Sequence, residues 1–490
     1  GAELEDMKLR ELLHAIPVQQ LEGTLEVEVL SVCFDSRQVS ADSLFIAVRG
    51  VHTDGHLYLD KAVASGAKVL VLDTLPEQLL DSVTYVLVAD TSYVLGLLAS
   101  NFYGDPSKAL KLVGITGTNG KTTIATLLFN LFQNLGYQVG LLSTVENRIG
   151  DRVIPATHTT PDPIALNRLL REMVEAGCDY CFMEVSSHAV VQQRIAGLRF
   201  AGGIFSNITH DHLDFHGTFD HYIKAKKKFF DDLDRFAFAL TNVDDRNGAV
   251  MLQNTFAHKK TYGLKSMADF KAKVVESHLD GMLLHVDGHD VWVKLVGGFN
   301  AYNLLAVYGA AILLEQETMK VLTAMSDIVG AEGRFDVVRS TSGVVGIVDY
   351  AHTPDAVENV LLTIRDLRQS GQQVITVLGC GGDRDKTKRP EMAAVAVRLS
   401  DKVIITSDNP RTEDPMAIIH DMEAGVQTSD RKHVFTIAER KEAIRAACHL
   451  AQPGDIILVA GKGHEKYQEV NGVRHHFDDK EILEETFNEQ

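Results

Sequence analysis

The 490-residue chain has 45 % hydrophobic and 23 % charged residues, an ordinary globular balance. Its formal net charge of −18 argues against a general nucleic-acid binder, which needs a basic face, but permits anionic substrates on locally positive loops. No apolar run approaches the ~20 residues that span a bilayer, so no membrane insertion is expected.

No secretory signal is visible, and "GAELED" ahead of Met7 reads as a cloning remnant. Five scattered cysteines fit a reducing cytoplasm rather than a disulfide framework. Cys178 and Cys181 form one CxxC. A zinc site needs a second pair or histidines at ligand spacing, so two small residues around a strand start is the favoured reading.

The first hundred residues carry short strands and turns: "LEVEVLSVCFDSRQV", "SLFIAVRG", "AKVLVLDT" and "VTYVLVAD". A helix, "SYVLGLLASNFYG", follows, and "GDPS" (104–107) is a turn-rich linker. From Leu110 the pattern becomes strand, glycine loop, helix, strand, helix. "LKLVGIT", "DYCFMEVSS", "GGIFSNI" and "FAFALTN" read as strands, with "PIALNRLLREMVEAG" as a helix. "GMLLHVDGHDVWVKL" alternates about a turn signal and predicts a hairpin. "NAYNLLAVYGAAILL" is the helix that closes this region. Near residue 337 a third run begins, with strands "VVGIVDY", "QQVITVLG", "DKVIIT" and "DIILVAG" between helical stretches. Such alternation means a parallel sheet covered on both faces. The expectation is an α/β protein of three domains: an N-terminal α/β module (1–107), a central P-loop domain with a mostly parallel sheet (108–336) and a C-terminal Rossmann-like domain (337–490).

"GITGTNGKTT" (114–123) follows a strand and opens a helix, the setting of a phosphate-binding loop. Its glycines fall at 114, 117 and 120, whereas the strict motif wants one where Ile115 stands. Gly117, Thr118, Asn119 and Gly120 would bring backbone N–H groups to phosphate oxygens at a helix N-terminus, beside Thr123. Lys121 would reach the outer phosphates and Thr122 would hold Mg²⁺. Glu184 in "MEVSSH" ends a strand, where a carboxylate suits the same ion. "THDHLDFHG" (209–217) gathers His210, Asp211, His212, Asp214 and His216, and a zinc site, a helix cap and a solvated loop all remain open. In "HYIKAKKKFF", Tyr222, Lys226, Phe229 and Phe230 share one helical face. A lysine there either snorkels or, if buried, has a lowered pKa. A neutral amine can react with CO₂ to give a carbamate, an oxygen ligand for Mg²⁺. In "SDNPRTEDP" (407–415), Arg411 hangs on a proline-bounded loop past a strand end, where open α/β sheets bind ligands.

These motifs, with "GGFNAYNLLAVYGA", "AEGRF", "VDYAHTPDA", "GCGGDRDKTKRP", "DNPR" and "GKGHE", resemble the Mur ligase family from residue 114 to 468. The resemblance implies an ATP- and Mg²⁺-dependent ligase of peptidoglycan precursor synthesis in the cytoplasm. It would add meso-diaminopimelate to UDP-N-acetylmuramoyl-L-alanyl-D-glutamate through an acyl phosphate. Lys121, Glu184, His212 and Lys226 would form the catalytic set, with Thr122 and Glu184 on one Mg²⁺ and His212 and carbamylated Lys226 on a second. Asn300 and Asn303 would lie near adenine, Arg334 at the γ-phosphate and Asp349 at the ribose. Ser36, His52 and Thr53 match the uridine-diphosphate region, and His158, Thr159, Thr160, Ser186, Gln192 and Arg194 the muramoyl-dipeptide region. His158 stands where relatives often have asparagine.

Arg411 would grip the far carboxylate of diaminopimelate, because a guanidinium forms a planar fork matched to it. Asp408 and Asn409 would shape the loop and its amine contacts, Pro410 would also border the diaminopimelate, and Arg384, Gly461 and Glu465 would complete the amino-acid site. The plain alternative for Arg411 is an exposed arginine paired with Glu413 or Asp414. Rival activities are an L-lysine-adding relative, a folylpolyglutamate synthase-like ligase and a nucleotide-dependent switch. A monomer acting on small molecules is expected.

Overall fold

The computed structural model describes residues 7–50, 53–155, 160–208, 218–330 and 332–490. The chain resolves into two compact units, Gly1–Ala272 with Tyr302–Met325, and Lys273–Ala301 with Ser326–Gln490. Among the described residues no helix is long and apolar enough to cross a membrane.

In the first unit, the early β-branched runs form a five-stranded sheet. Its order is Gln20–Glu22, Thr84–Leu87, Ala67–Leu72, Ser43–Ile46, Ser31–Cys33. Only the first strand runs antiparallel to its neighbour. Helix Thr91–Phe102 starts at Asp90, whose carboxylate accepts from the N–H groups of Ser92 and Tyr93. It packs Val94, Leu95 and Leu98 with Val69, Val71 and Val86 of the sheet.

The second sheet of this unit has Lys111–Thr116 between Tyr180–Glu184 and Gly202–Phe205, parallel to both. Val139–Leu142 lies beyond the former, Phe238–Asn242 and His258–Gly263 beyond the latter. Chain order reverses at Lys111–Thr116, the kind of switch point beside which open α/β sheets bind ligands, past the strands' carboxyl ends. Helix Thr218–Asp231 buries Phe229 and Phe230 with Phe200, Phe205 and Ala239, and losing one such ring costs about 3–5 kcal/mol. Cys178 and Cys181 are both buried free thiols around the strand start, and burial raises the pKa of each.

The second unit contains the hairpin Gly281–Val286/His289–Val293, turned by Asp287 and Gly288 at φ 48° and 79°. Its sheet runs Asp336–Arg339, Val345–Asp349, Ile456–Ala460, Val374–Leu378, Lys402–Ile405, Val434–Thr436, parallel after the first strand. A second hairpin, Tyr467–Val470/Val473–His476, turns at Asn471-Gly472. Its polar second strand has no apolar run, although the Asn-Gly pair is a hairpin signal.

Arg440 and Asp479 form a fully buried two-bond ion pair, with Nε–Oδ1 at 2.8 Å and Nη2–Oδ2 at 2.7 Å. The guanidinium also donates to the carbonyls of Ser407 (3.2 Å), just past strand Lys402–Ile405, and Ala460 (3.0 Å), the last residue of strand Ile456–Ala460. Removing one partner strands the other charge without water. Asp479→Ala should therefore lower unfolding free energy by about 3–5 kcal/mol, read as a fall in the urea midpoint.

Candidate functional site

In the first unit the glycine loop connects Lys111–Thr116 to helix Lys121–Asn134. Gly117 and Gly120 have φ of 146° and 89°, values that side chains rarely adopt. A Cβ on Gly117 would collide with Ser206 Oγ, and one on Gly120 would lie 2.6 Å from Asn303 Oδ1. The loop is braced from the neighbouring strand end. Thr118 N–H donates to the carbonyl of Asn207 (2.8 Å), Asn119 N–H to Asn207 Oδ1 (3.0 Å), and Ser206 Oγ to the Asn119 carbonyl (2.7 Å). Asn242 in turn donates to the Ser206 carbonyl (2.9 Å). The sequence reading missed Ser206 and Asn207, although they directly follow Gly202–Phe205, the strand beside the one leading into the loop.

Thr122 Oγ1 donates to Glu184 Oε1 at 2.8 Å, and Thr144 N–H donates to Oε2 at 2.7 Å. The expected pair thus meets, its carboxylate buried at the strand end. These two oxygen donors beside a phosphate loop suit a hard cation such as Mg²⁺. Burial lowers the pKa of Lys121, with Glu184 opposing.

Lys226 is fully buried. Its Nζ lies 3.0 Å from the Gly117 carbonyl, 3.4 Å from Thr116 Oγ1 and 4.5 Å from the centre of the Tyr222 ring. Burial, and then the nearby Lys121 charge, bring its pKa down to about 7. It is not a snorkelling surface lysine. Asn303 lies in the same unit and Asn300 in the other, on one helix, Gly298–Leu313. Asn300 Nδ2 donates to the Val296 carbonyl at 2.9 Å.

Arg194 Nη1 donates to the Thr160 carbonyl at 2.6 Å, and Ser186 Oγ caps the helix Ser187–Val191 that ends beside exposed Gln192. Ser36 is buried in a one-turn helix capped by Asp35, and exposed Thr53 precedes the capping Asp54. His52, His158, Thr159 and His212, with the rest of "THDHLDFHG", lie outside the described residues. Among the described residues no three His, Cys, Asp or Glu side chains gather as a metal site.

In the second unit, four loops leave the carboxyl ends of Val345–Asp349, Val374–Leu378, Lys402–Ile405 and Ile456–Ala460. Asp349 is buried and accepts from the N–H groups of Phe335 (2.8 Å) and Ala351 (2.7 Å), and burial still raises its pKa. Exposed Arg334 stacks over Tyr350 at 4.9 Å.

Arg411 has a left-handed backbone, φ 53°. Its N–H donates to the Glu469 carbonyl (3.0 Å), and its own carbonyl accepts from Asn471 N–H (2.8 Å). The side chain reaches the Gly382 carbonyl through Nη1 (2.9 Å) and Glu469 Oε2 through Nε (3.3 Å). The alternative pairings are not formed. Glu413 is taken by buried Arg389 at 2.9 and 3.0 Å, which holds its carboxyl down to about 2, and Asp414 caps helix Pro415–Glu423. Asp408 and Asn409 are buried, the Pro410 carbonyl meets Glu413 N–H at 3.0 Å, and Arg384 is exposed. Gly461, at φ 118°, passes close to Asp408, where a Cβ would stand 3.1 Å from Oδ2. Burial, then Asp408, raise the pKa of Glu465. Lys462 and Glu469 were missed, although Lys462 sits inside the quoted "GKGHE".

The chain is 57 % identical over 481 residues to UDP-N-acetylmuramoyl-L-alanyl-D-glutamate--2,6-diaminopimelate ligase of Bacteroides fragilis, covering 98 % of this chain and 99 % of that one. The chain belongs to the Mur ligase family. Three family models match this Mur ligase: the Mur ligase family catalytic domain at 28–103, the Mur ligase middle domain at 115–311, and the Mur ligase glutamate ligase domain at 333–463. A solved UDP-N-acetylmuramoyl-L-alanyl-D-glutamate--2,6-diaminopimelate ligase superposes with TM-score 0.74 at 32 % identity, covering 99 % of both chains. Folylpolyglutamate synthase of Mycobacterium tuberculosis, complexed with ADP and AMPPCP, shares the fold at TM-score 0.59 and 17 % identity, over 76 % of this chain and 92 % of that one.

The burial of Lys226 next to a second cation has a direct readout. Followed by nitrogen NMR, its amine should titrate with a midpoint about 7, and Lys121→Met should raise that midpoint by removing the opposing charge. A midpoint near the ordinary lysine value of about 10.4 would contradict the buried setting.

Proposed function

We propose that this Mur ligase joins meso-diaminopimelate to the D-glutamate carboxylate of UDP-N-acetylmuramoyl-L-alanyl-D-glutamate, using ATP, in the cytoplasmic synthesis of peptidoglycan precursors. The observation that carries the specificity is the state of Arg411. The acids beside it in sequence are engaged elsewhere, and neither of its own side-chain contacts uses Nη2. A guanidinium so placed can take a second carboxylate, which meso-diaminopimelate has and L-lysine lacks. The ligase name of the relatives supports the same reading.

In this reading 1–107 receives the uridine-diphosphate substrate, 108–336 the ATP and 337–490 the amino acid. The D-glutamate carboxylate oxygen attacks the γ-phosphorus of ATP, and ADP leaves. The amine, having lost its proton, then attacks the acyl carbon, and inorganic phosphate leaves with the former carboxylate oxygen. Both steps move negative charge across phosphoryl oxygens, so placement and cationic groups supply most of the catalysis. Gly117 to Thr123 cradle the phosphates, and Lys121 faces the transferring group. Asn300, Asn303, Asp349 and Arg334 serve the nucleotide, and Ser36, His52 and Thr53 the uridine diphosphate. His158, Thr159, Thr160, Ser186, Gln192 and Arg194 serve the dipeptide. Asp408, Asn409, Pro410, Arg411, Arg384, Gly461 and Glu465 serve diaminopimelate.

Thr122, Glu184, His212 and carbamylated Lys226 would hold Mg²⁺, which when bound screens phosphate charge. The buried Lys226 amine fits that chemistry. The ammonium loses one proton to give the neutral amine, which adds to CO₂ and releases a second, so a cation repelled by Lys121 becomes an anion attracted to it.

The test is phosphate release and product mass with ATP, Mg²⁺ and the muramoyl-dipeptide, offering meso-diaminopimelate or L-lysine in parallel. Tripeptide with diaminopimelate alone is expected, and turnover with lysine instead would overturn the specificity. Arg411→Ala should raise KM for diaminopimelate about 10- to 100-fold, the worth of a charged hydrogen-bonded contact, while sparing KM for ATP.

A further inference from the structure

The cation enclosed among the amino-acid loops is neither half-buried Arg411 nor exposed Arg384 but Lys462, which is fully buried. Its Nζ lies 2.7 Å from Asn409 Oδ1, 3.0 Å from the Tyr467 carbonyl, 3.0 Å from Asp408 Oδ1 and 3.9 Å from Glu465 Oε1. Asn409 Oδ1 also accepts from Glu469 N–H at 3.0 Å, so its amide oxygen is turned inward by two donors. One ammonium group therefore meets the loop after Lys402–Ile405, the loop after Ile456–Ala460 and the hairpin strand Tyr467–Val470. Gln468 adds a further tie, donating to the Asp408 carbonyl at 2.7 Å.

We infer that Lys462 is a positioning residue of the amino-acid site: it clamps Asp408 and Asn409 to Glu465 and supplies the counter-charge that lets two carboxylates occupy one enclosed place. The inference rests on the reading of these loops as the amino-acid site. Two carboxylates in a small buried volume repel, and the usual outcome is that one takes up a proton. A protonated carboxyl cannot receive a substrate ammonium group as an ion pair. Burial, then Asp408, push the Glu465 carboxyl upward, and Lys462 and a hydrogen bond from Tyr467 hold it down. The other groups bearing on this cluster are His464, Tyr350, Arg440 and, toward Asp408, Cys380. Arg440 is already paired with Asp479. Lys462 alone among these cations approaches both carboxylates within 4 Å.

Removing the Lys462 charge frees the Glu465 carboxyl to rise further. Amino-acid binding is then lost as pH falls through that higher value and is regained as pH rises above it. Lys462→Met keeps the length of the side chain and removes the charge. Steady-state kinetics of the full chain should show KM for diaminopimelate up about 10- to 100-fold near neutral pH with KM for ATP within about twofold. The acid limb of kcat/KM for diaminopimelate should move up by about one pH unit, so alkaline pH partly restores the variant. Lys462→Arg keeps the charge and should leave the limb within about 0.3 unit of the wild type. An unchanged KM in Lys462→Met, or a loss common to both substrates with an unmoved limb, overturns the inference. If Lys462→Met does not fold, a limb displaced by about a unit in Lys462→Arg overturns it equally. Wild-type turnover with diaminopimelate tests the underlying reading by itself, before any variant is made.

Discussion

A positive charge closed off from water must find its compensation inside the protein, and this chain places that demand where its working loops begin. Lys226, Arg389, Arg440 and Lys462 are the lysines and arginines buried among the described residues. Arg440 joins the carboxyl ends of two sheet strands, at Ser407 and Ala460, Arg389 fixes Gly381 and Glu413, and Lys462 binds the loops that follow. Breaking such a pair leaves an unsolvated charge, a penalty of about 3–5 kcal/mol that favours one loop arrangement over its alternatives. Parallel strands bring the loops to one edge, and the buried cations decide how they stand there.

Lys226 differs from the other three in what surrounds it. They face carboxylates, whereas Lys226 faces Lys121 and, among the described residues, reaches neutral oxygens, the Gly117 carbonyl and the Thr116 hydroxyl. Its proton is consequently held loosely, because of burial first and then of the Lys121 charge. A lysine so placed is a nucleophile at neutral pH, and it touches the backbone of the loop proposed to hold ATP. Stability alone would favour an apolar residue there, so the conflict between local cost and retained charge points to function.

Most of the architecture was legible in the sequence because it rests on short-range patterns. β-branched runs bounded by glycine or acid became the parallel strands around Lys111–Thr116 and Ile456–Ala460, and "VDGH" became a hairpin turn. The polar strands His258–Gly263 and Val473–His476 carry no apolar run and were not read. In the sites, residue types at strand ends pointed to Lys121, Glu184 and Arg411. The supports of those residues were not readable, since Asn207 reaches Asn119 from 88 positions away and Lys462 reaches Asn409 from 53. Chemistry that a motif supplies locally can be read along the chain, whereas contacts made by folding cannot.

Arg411 takes a backbone conformation that glycine and asparagine adopt readily and arginine does not. The bonds it makes on either side to Glu469 and Asn471 hold it there. The proposed recognition element is thus a composite of two segments, 60 positions apart at Asn409 and Glu469, and not the four residues of "DNPR". Grafting that tetrapeptide alone into a scaffold lacking the Tyr467–His476 hairpin would deliver a guanidinium on a backbone free to relax. Substrate preference in this fold would therefore be inherited, or exchanged, as a pair of segments.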